Sequence, residues 1–91
     1  MSSPIKDYII SPHALFEMQR REIDESILKR VMNYPDQRFT ERKGRDVVQS
    51  KIEFDGKIYL VRVFVDVDRK PAEVVTVYRT SNIKKYWRTK S

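Results

Sequence analysis

The chain has no cysteine, one histidine, two glycines and no long apolar run. Without cysteine there is no disulfide, no thiolate metal ligand and no thiol nucleophile, which fits a reducing compartment. The single histidine, His13, excludes a multi-histidine metal cluster. Apolar runs such as Tyr8–Ile10 and Val63–Val65 are too short to span a bilayer. The opening MSSPIKDYII lacks the architecture of a secretory signal. A cytoplasmic protein with no membrane partner is therefore expected.

The 91 residues are enough for one core, so residues 1–91 are expected to form one domain, ordered from about Ile5 to Arg88. A hydrophobic fraction of 40% argues for a folded chain despite 35% charged residues. The net charge of +6 and pI near 9.7 favour an anionic partner, most often nucleic acid. Ordinary solubilising charge is the plain alternative.

Helical signals fill the first half. Ser11 is an N-cap with Pro12 at the first helical position, and Ala14, Leu15, Phe16 and Met18 supply an apolar stripe. A second helix restarts at Asp24, carries Ile27, Leu28, Val31 and Met32, and stops before Pro35. After Pro35 the period changes to two. QRFTERK and RDVVQSKIEFD flank a turn at Lys43-Gly44, and Asp55-Gly56 is a strong hairpin signal ahead of KIYLVRVFV. VVTVYR forms a further strand, and Thr80-Ser81 stand ready to cap a last short helix, NIKKYWR. The expected fold class is α+β: two N-terminal helices packed on one face of a four-stranded antiparallel sheet, with a short C-terminal helix.

A two-residue loop at Asp55-Gly56 pairs Ile52 with Tyr59, Ser50 with Val61 and Val48 with Val63 on a face fit to meet the helices. The opposite face then carries Gln49 beside Arg62, Lys51 beside Leu60 and Val47 beside Phe64. Arg62 interrupts an apolar strand, so it is either paired, with Glu53 or Glu73 as partner, or presented to phosphate. His13 falls in the first turn of a helix, where unpaired N–H groups disfavour added positive charge. Its imidazole is thereby available as a base or hydrogen-bonding group, or simply finishes the helix start. Arg20-Arg21 reads as a solvated helix end or a phosphate clamp.

On VVTVYR, strict alternation sends Val75, Val77 and Arg79 one way and Val74, Thr76 and Tyr78 the other. The segment from Thr76 onward has no acidic residue and interleaves Tyr78, Tyr86 and Trp87 with Arg79, Lys84, Lys85 and Arg88. Rings that stack on bases beside cations that neutralise phosphates suit nucleic acid. Anchoring of Tyr86 and Trp87 to the core is the alternative.

These segments together resemble the bacterial and archaeal family of small proteins called domain of unknown function 4258. The N-terminal likeness rests on His13, Ala14, Met18, Arg21 and Ile23. The C-terminal likeness rests on Thr76, Val77, Tyr78, Thr80 and Ser81, with Lys85-Tyr86-Trp87 following. That family is similar in element order to the RelE, ParE and BrnT toxins, whose fold groups with barnase-like and colicin-like ribonucleases. The resemblance implies a RelE-like domain and the toxin of a type II toxin–antitoxin pair: a metal-independent endoribonuclease with no cofactor, acting on RNA, ribosome-bound message included. A cognate antitoxin protein would be its partner. In that reading His13, Arg62, Tyr78 and Arg79 are catalytic candidates, and Arg21, Gln49, Lys51, Lys84, Lys85 and Tyr86 hold the RNA. The alternative is a non-catalytic module of the same fold that binds RNA or protein, including a gyrase-targeting toxin. Convergence of His13, Arg62 and Tyr78 in one groove would favour cleavage, and their separation would favour binding.

Overall fold

A computed structural model describes residues 2–89; the expected fraying of Met1, Lys90 and Ser91 lies outside them. The chain runs β1 (Tyr8–Ile10), α1 (Pro12–Arg20), α2 (Glu25–Asn33), β2 (Gln37–Arg42), β3 (Arg45–Phe54), β4 (Lys57–Asp66), β5 (Ala72–Thr80) and α3 (Ile83–Tyr86). The class is α+β, as expected. The sheet, however, has five strands in the order β1-β5-β4-β3-β2 and is mixed, because β1 runs parallel to β5. This corrects the four-stranded antiparallel expectation. A three-residue strand has too little pattern to be read, and its partner lies more than sixty residues away, Tyr8 opposite Ala72.

Local chemistry accounts for both long helices. The Ser11 hydroxyl accepts from the Ala14 N–H at 3.1 Å with Pro12 behind it, and the Asp24 carboxylate accepts from the Ile27 N–H at 3.0 Å. Between them Ile23 N–H donates to the Met18 carbonyl at 2.9 Å and Glu22 N–H to the Gln19 carbonyl at 3.3 Å, a Schellman closure. Glu22 occupies its left-handed position at φ 56°, where glycine is usual. The last helix differs from expectation. It covers four residues, Trp87 is already extended, and the Thr80 hydroxyl caps a preceding turn by accepting from Asn82 N–H at 3.1 Å.

The β3–β4 register is the one the Asp55-Gly56 turn dictates, with Ile52 opposite Tyr59, Val48 opposite Val63 and Gln49 opposite Arg62. Positive φ at both turn residues, 50° and 83°, matches the primed turn geometry. The helix-facing side of the sheet buries Val48, Ile52, Val61, Val63, Val65, Val74 and Val77 against Ala14, Met18, Leu28, Val31 and Met32. Leu15 and Phe16, expected in the stripe, remain 38% and 56% exposed, because α1 turns only Ala14 and Met18 inward. A bulge at Val75 pairs Phe64 with Thr76 but Val65 with Val74, so Val74 joins Val77 in the core. Strict alternation therefore fails across that point.

Replacing Glu22 by Gly removes a left-handed side-chain conformation and loses only a 3.8 Å contact to Arg79 from a side chain 85% exposed. Urea unfolding of Glu22→Gly should show a higher midpoint at unchanged m, a gain of about 0.5–1 kcal/mol. A lower midpoint would mean that the Arg79 contact outweighs the strain.

Candidate functional site

The side of the sheet away from α1 and α2 is polar at its centre. Gln49 on β3 is fully buried and Arg62 on β4 is 8% exposed. They are cross-strand partners, and the Arg62 Nε donates to the Gln49 Oε1 at 2.8 Å. On the other flank, β5 sets Tyr78 opposite Arg62, and Arg62 Nη1 donates to the Tyr78 hydroxyl at 2.7 Å. Gln49 Nε2 in turn donates to the Gln37 Oε1 at 2.7 Å and to the Tyr86 carbonyl at 3.0 Å. Four strands and the C-terminal segment thus contribute to one chain of hydrogen bonds centred on a cation.

No carboxylate pairs with Arg62 among the described residues. Of the two carboxylates considered as partners, Glu73 pairs with Arg69 at 3.3 Å and Glu53 makes no ion pair to it. Aromatic faces surround the charge instead: the guanidinium carbon lies 4.4 Å from the Tyr86 ring centroid, 5.3 Å from Phe64 and 5.8 Å from Tyr78. The remaining nitrogen, Nη2, has no hydrogen-bond partner among the described residues. No fully buried side-chain nitrogen or oxygen there is left without one, so Nη2 reaches solvent. The result is a fixed guanidinium with one open edge.

The C-terminal segment lies across this face. Beyond Tyr86, the Lys51 ammonium sits 4.2 Å from the Trp87 ring and the Arg88 guanidinium 3.9 Å from the Phe39 ring. Gln37 clamps Arg88 through its amide, accepting from the Arg88 N–H at 3.1 Å and donating to its carbonyl. Lys84 and Lys85 are exposed on α3.

α1 approaches from the β5 edge, where β1 covers only Ala72–Val74. Glu17 accepts from Arg21 Nε at 3.1 Å, and the Arg21 guanidinium stands 5.9 Å from the Tyr78 ring. The hydrogen bond from Arg21 holds the Glu17 carboxyl below the usual range, with smaller pulls from the charges of Arg20, Arg21 and His13.

The expected site residues therefore divide. Arg62, Tyr78, Gln49 and Tyr86 meet, with Arg21 and Lys51 at the rim and Lys84 and Lys85 beyond it. Arg79 does not join them: it is opposite Val61 on the helix-facing side, stacked 4.2 Å from Phe54 and 4.7 Å from Tyr59. His13 is exposed in the first turn of α1, eight residues before Arg21, or about 12 Å along the axis. It makes no hydrogen bond to Arg62 or Tyr78, which are joined to each other at 2.7 Å. Phe64 and Arg88 belong to the face, as the strand pairing and the cationic segment implied, though neither was given a site role; Gln37 and Phe39 belong to it and were not expected. A glutamine and a ring in a half-buried strand carry no charge signal, and placing Gln37 opposite Gln49 needs a bulge between Thr40 and Arg42.

The profile of the family called Domain of unknown function (DUF4258) matches residues 10–79, most of the chain. The chain belongs to that family. No curated protein and no solved structure matches it. The DUF4258 match spans α1, the hairpin and β5 as far as Tyr78 and Arg79, so it includes Arg62 and its partners Gln49 and Tyr78. Within it no three or more metal-ligating side chains come together among the described residues.

The Glu17 carboxyl gains its stabilisation by being ionised in the folded chain, so that contribution is complete above the unfolded value and is lost as pH falls through the lower folded one. Thermal unfolding followed from about pH 5 down to roughly pH 3 should show a shallower loss of Tm for Glu17→Gln than for the wild type. Parallel curves would show that Glu17 contributes nothing pH-dependent.

Proposed function

We propose that this protein binds single-stranded RNA on the sheet face of β3, β4 and β5, with Arg62 taking the oxygens of one phosphodiester. The observation that carries this reading is the Arg62 guanidinium: aligned by Gln49 and Tyr78, uncompensated by any carboxylate among the described residues, and open along one edge. A guanidinium fork matches phosphate geometry, and its charge is never lost at working pH. The exposed cations Lys84 and Lys85 beside Tyr86 and Trp87 extend the face in the manner of a polyanion that carries bases. The net charge of +6 draws the same class of ligand. The resemblance to RelE-type toxins drawn from the sequence favours RNA as that polyanion, the cytoplasm as its setting, and an acidic antitoxin as the protein that covers the face.

A second reading, metal-independent cleavage, is favoured by the bond between Arg62 and Tyr78. Because the hydroxyl accepts from Arg62, its own proton remains free to be donated. In this reading the 2′-oxygen attacks phosphorus with its proton passing to water, the bond to the 5′-oxygen breaks, and Tyr78 protonates that leaving oxygen. Arg62 stabilises the charge on the pentacoordinate phosphate. His13 is outside this scheme, and Arg79 is on the wrong side of the sheet.

Anisotropy of a labelled single-stranded RNA, measured in EDTA over a range of salt, tests the first reading. Arg62→Met should weaken binding and lower the log–log salt slope by about 0.7, the contribution of one phosphate on a single strand. Equal affinity and slope in the variant would overturn it. The same RNA incubated with wild type and Tyr78→Phe decides the second reading: cleavage that drops by at least roughly 100-fold in the variant supports a proton donor. Intact RNA in every lane leaves a binding protein.

A further inference from the structure

β2 is one of the two edge strands of the sheet, and beside it the C-terminal segment leaves a shallow, open cavity of about 410 Å³, lined by Asp36, Gln37, Arg38, Phe39 and Arg88 and completed by Ser2 and Thr89. This is at the lower end of the size range of ligand pockets, about 300–1,000 Å³. We propose that it is a base subsite for the nucleotide next to the phosphate held by Arg62, an assignment that rests on the RNA reading above.

Three observations point to a base. The Arg88 guanidinium lies over the Phe39 ring at 3.9 Å, and both line the cavity, so a flat cation stacked on an aromatic forms its wall. RNA bases unstacked from their neighbours are held on aromatic rings and on guanidinium planes alike. That wall is pre-formed, because Gln37 binds both backbone groups of Arg88. The same Gln37 Oε1 accepts from Gln49, which accepts from Arg62, so the wall and the phosphate-binding edge are positioned by one continuous set of hydrogen bonds. β2 and β4 are two strand spacings apart, about 10 Å, so a single stretch of RNA backbone can serve both.

The cavity also has polar groups free to read the base. Asp36 Oδ2 accepts from the Lys51 N–H at 3.0 Å, while Oδ1 accepts nothing among the described residues. Arg38 uses Nε on Asp46 and Nη1 on Ser3, which leaves Nη2. A carboxylate oxygen accepts from an exocyclic amino group, which adenine and cytosine have and uracil lacks. Asp36 is therefore a specificity-determining residue that favours amino-bearing bases. The Arg88 guanidinium, held flat by the Phe39 ring beneath it, offers its outer face to every base.

Competition of rA, rC and rU homopolymers against a labelled RNA, followed by anisotropy, tests the subsite. Wild type should prefer rA and rC to rU by at least roughly fivefold. Asp36→Asn keeps an oxygen for the Lys51 N–H but presents an amide N–H2, and should shift the ratio toward rU, whose carbonyls accept. Phe39→Leu should weaken all three alike, by roughly 5–100-fold, with the salt slope unchanged. Equal binding of the three homopolymers by the wild type, or an unchanged ratio in Asp36→Asn, overturns the subsite and leaves the RNA reading in place. Absence of any RNA binding by the wild type overturns that reading, and the subsite with it. Should Asp36→Asn fail to fold, Phe39→Leu decides alone: uniform loss at constant salt slope supports the subsite, and unchanged affinity overturns it.

Discussion

Arg62 places a permanent charge in the middle of a β-sheet, 8% exposed, with no carboxylate beside it among the described residues. Removing a guanidinium from water without an anion is costly, and the rest of the polar face is organised to meet that cost with neutral groups. Gln49 and Tyr78, from the strands on either side, each supply an oxygen acceptor. Hydrogen bonds to a charged donor contribute roughly 1.5–3 kcal/mol each, and ring faces about 0.5–2 kcal/mol. Tyr86 closes over the guanidinium because its ring is one such face. Gln49 would bury an amide of its own, and it is satisfied only because Gln37 and the Tyr86 carbonyl take its two N–H groups.

The two sides of the sheet therefore follow different physics. The helix-facing side is a dry apolar contact in which valines and α1–α2 residues exclude water. The other side is held by hydrogen bonds and cation–ring contacts, and α3 buries no residue at all. This accounts for a cationic, aromatic C-terminus on a domain of this size. Tyr86, Trp87 and Arg88 are neither core nor free tail. They pair in turn with Arg62, Lys51 and Phe39 across three strands. A segment anchored in this way leaves the face polar, which suits the anionic ligand proposed for it.

Much of this organisation was legible in the sequence, and the limits are physical. Ser11-Pro12 and Asp24 marked both helix starts because capping is a local affair of three or four residues. Asp55-Gly56 set the β3–β4 register, and with it the pairing of Gln49 with Arg62, because only one short turn fits both left-handed residues. Features that depend on non-local pairing were not legible. β1 exists only because β5 lies alongside it. The bulge at Val75 reversed the alternation of β5 and brought Val74 into the core, while the one between Thr40 and Arg42 put Gln37 opposite Gln49. The extended Trp87 and the exposed Leu15 and Phe16 depend on how elements settle against one another. Arg79 and His13 show the same limit. Their residue types suited catalysis, but the face of β5 that Arg79 takes and the place to which α1 carries His13 are tertiary facts.

Arginine at position 62 is itself part of the design, and lysine is no substitute. A lysine ammonium is a single point on a flexible stem, and its donors cannot simultaneously bind oxygens on two flanking strands and leave a planar edge free. The guanidinium has its donors spread around a rigid plane: Nε faces β3, Nη1 faces β5 and Nη2 faces solvent. That plane also stacks against Tyr86, which a compact ammonium does less well. Orientation and availability, which usually compete in a buried cation, are thus assigned to different nitrogens of one group. The fold can immobilise Arg62 without using up the edge that an anion would need.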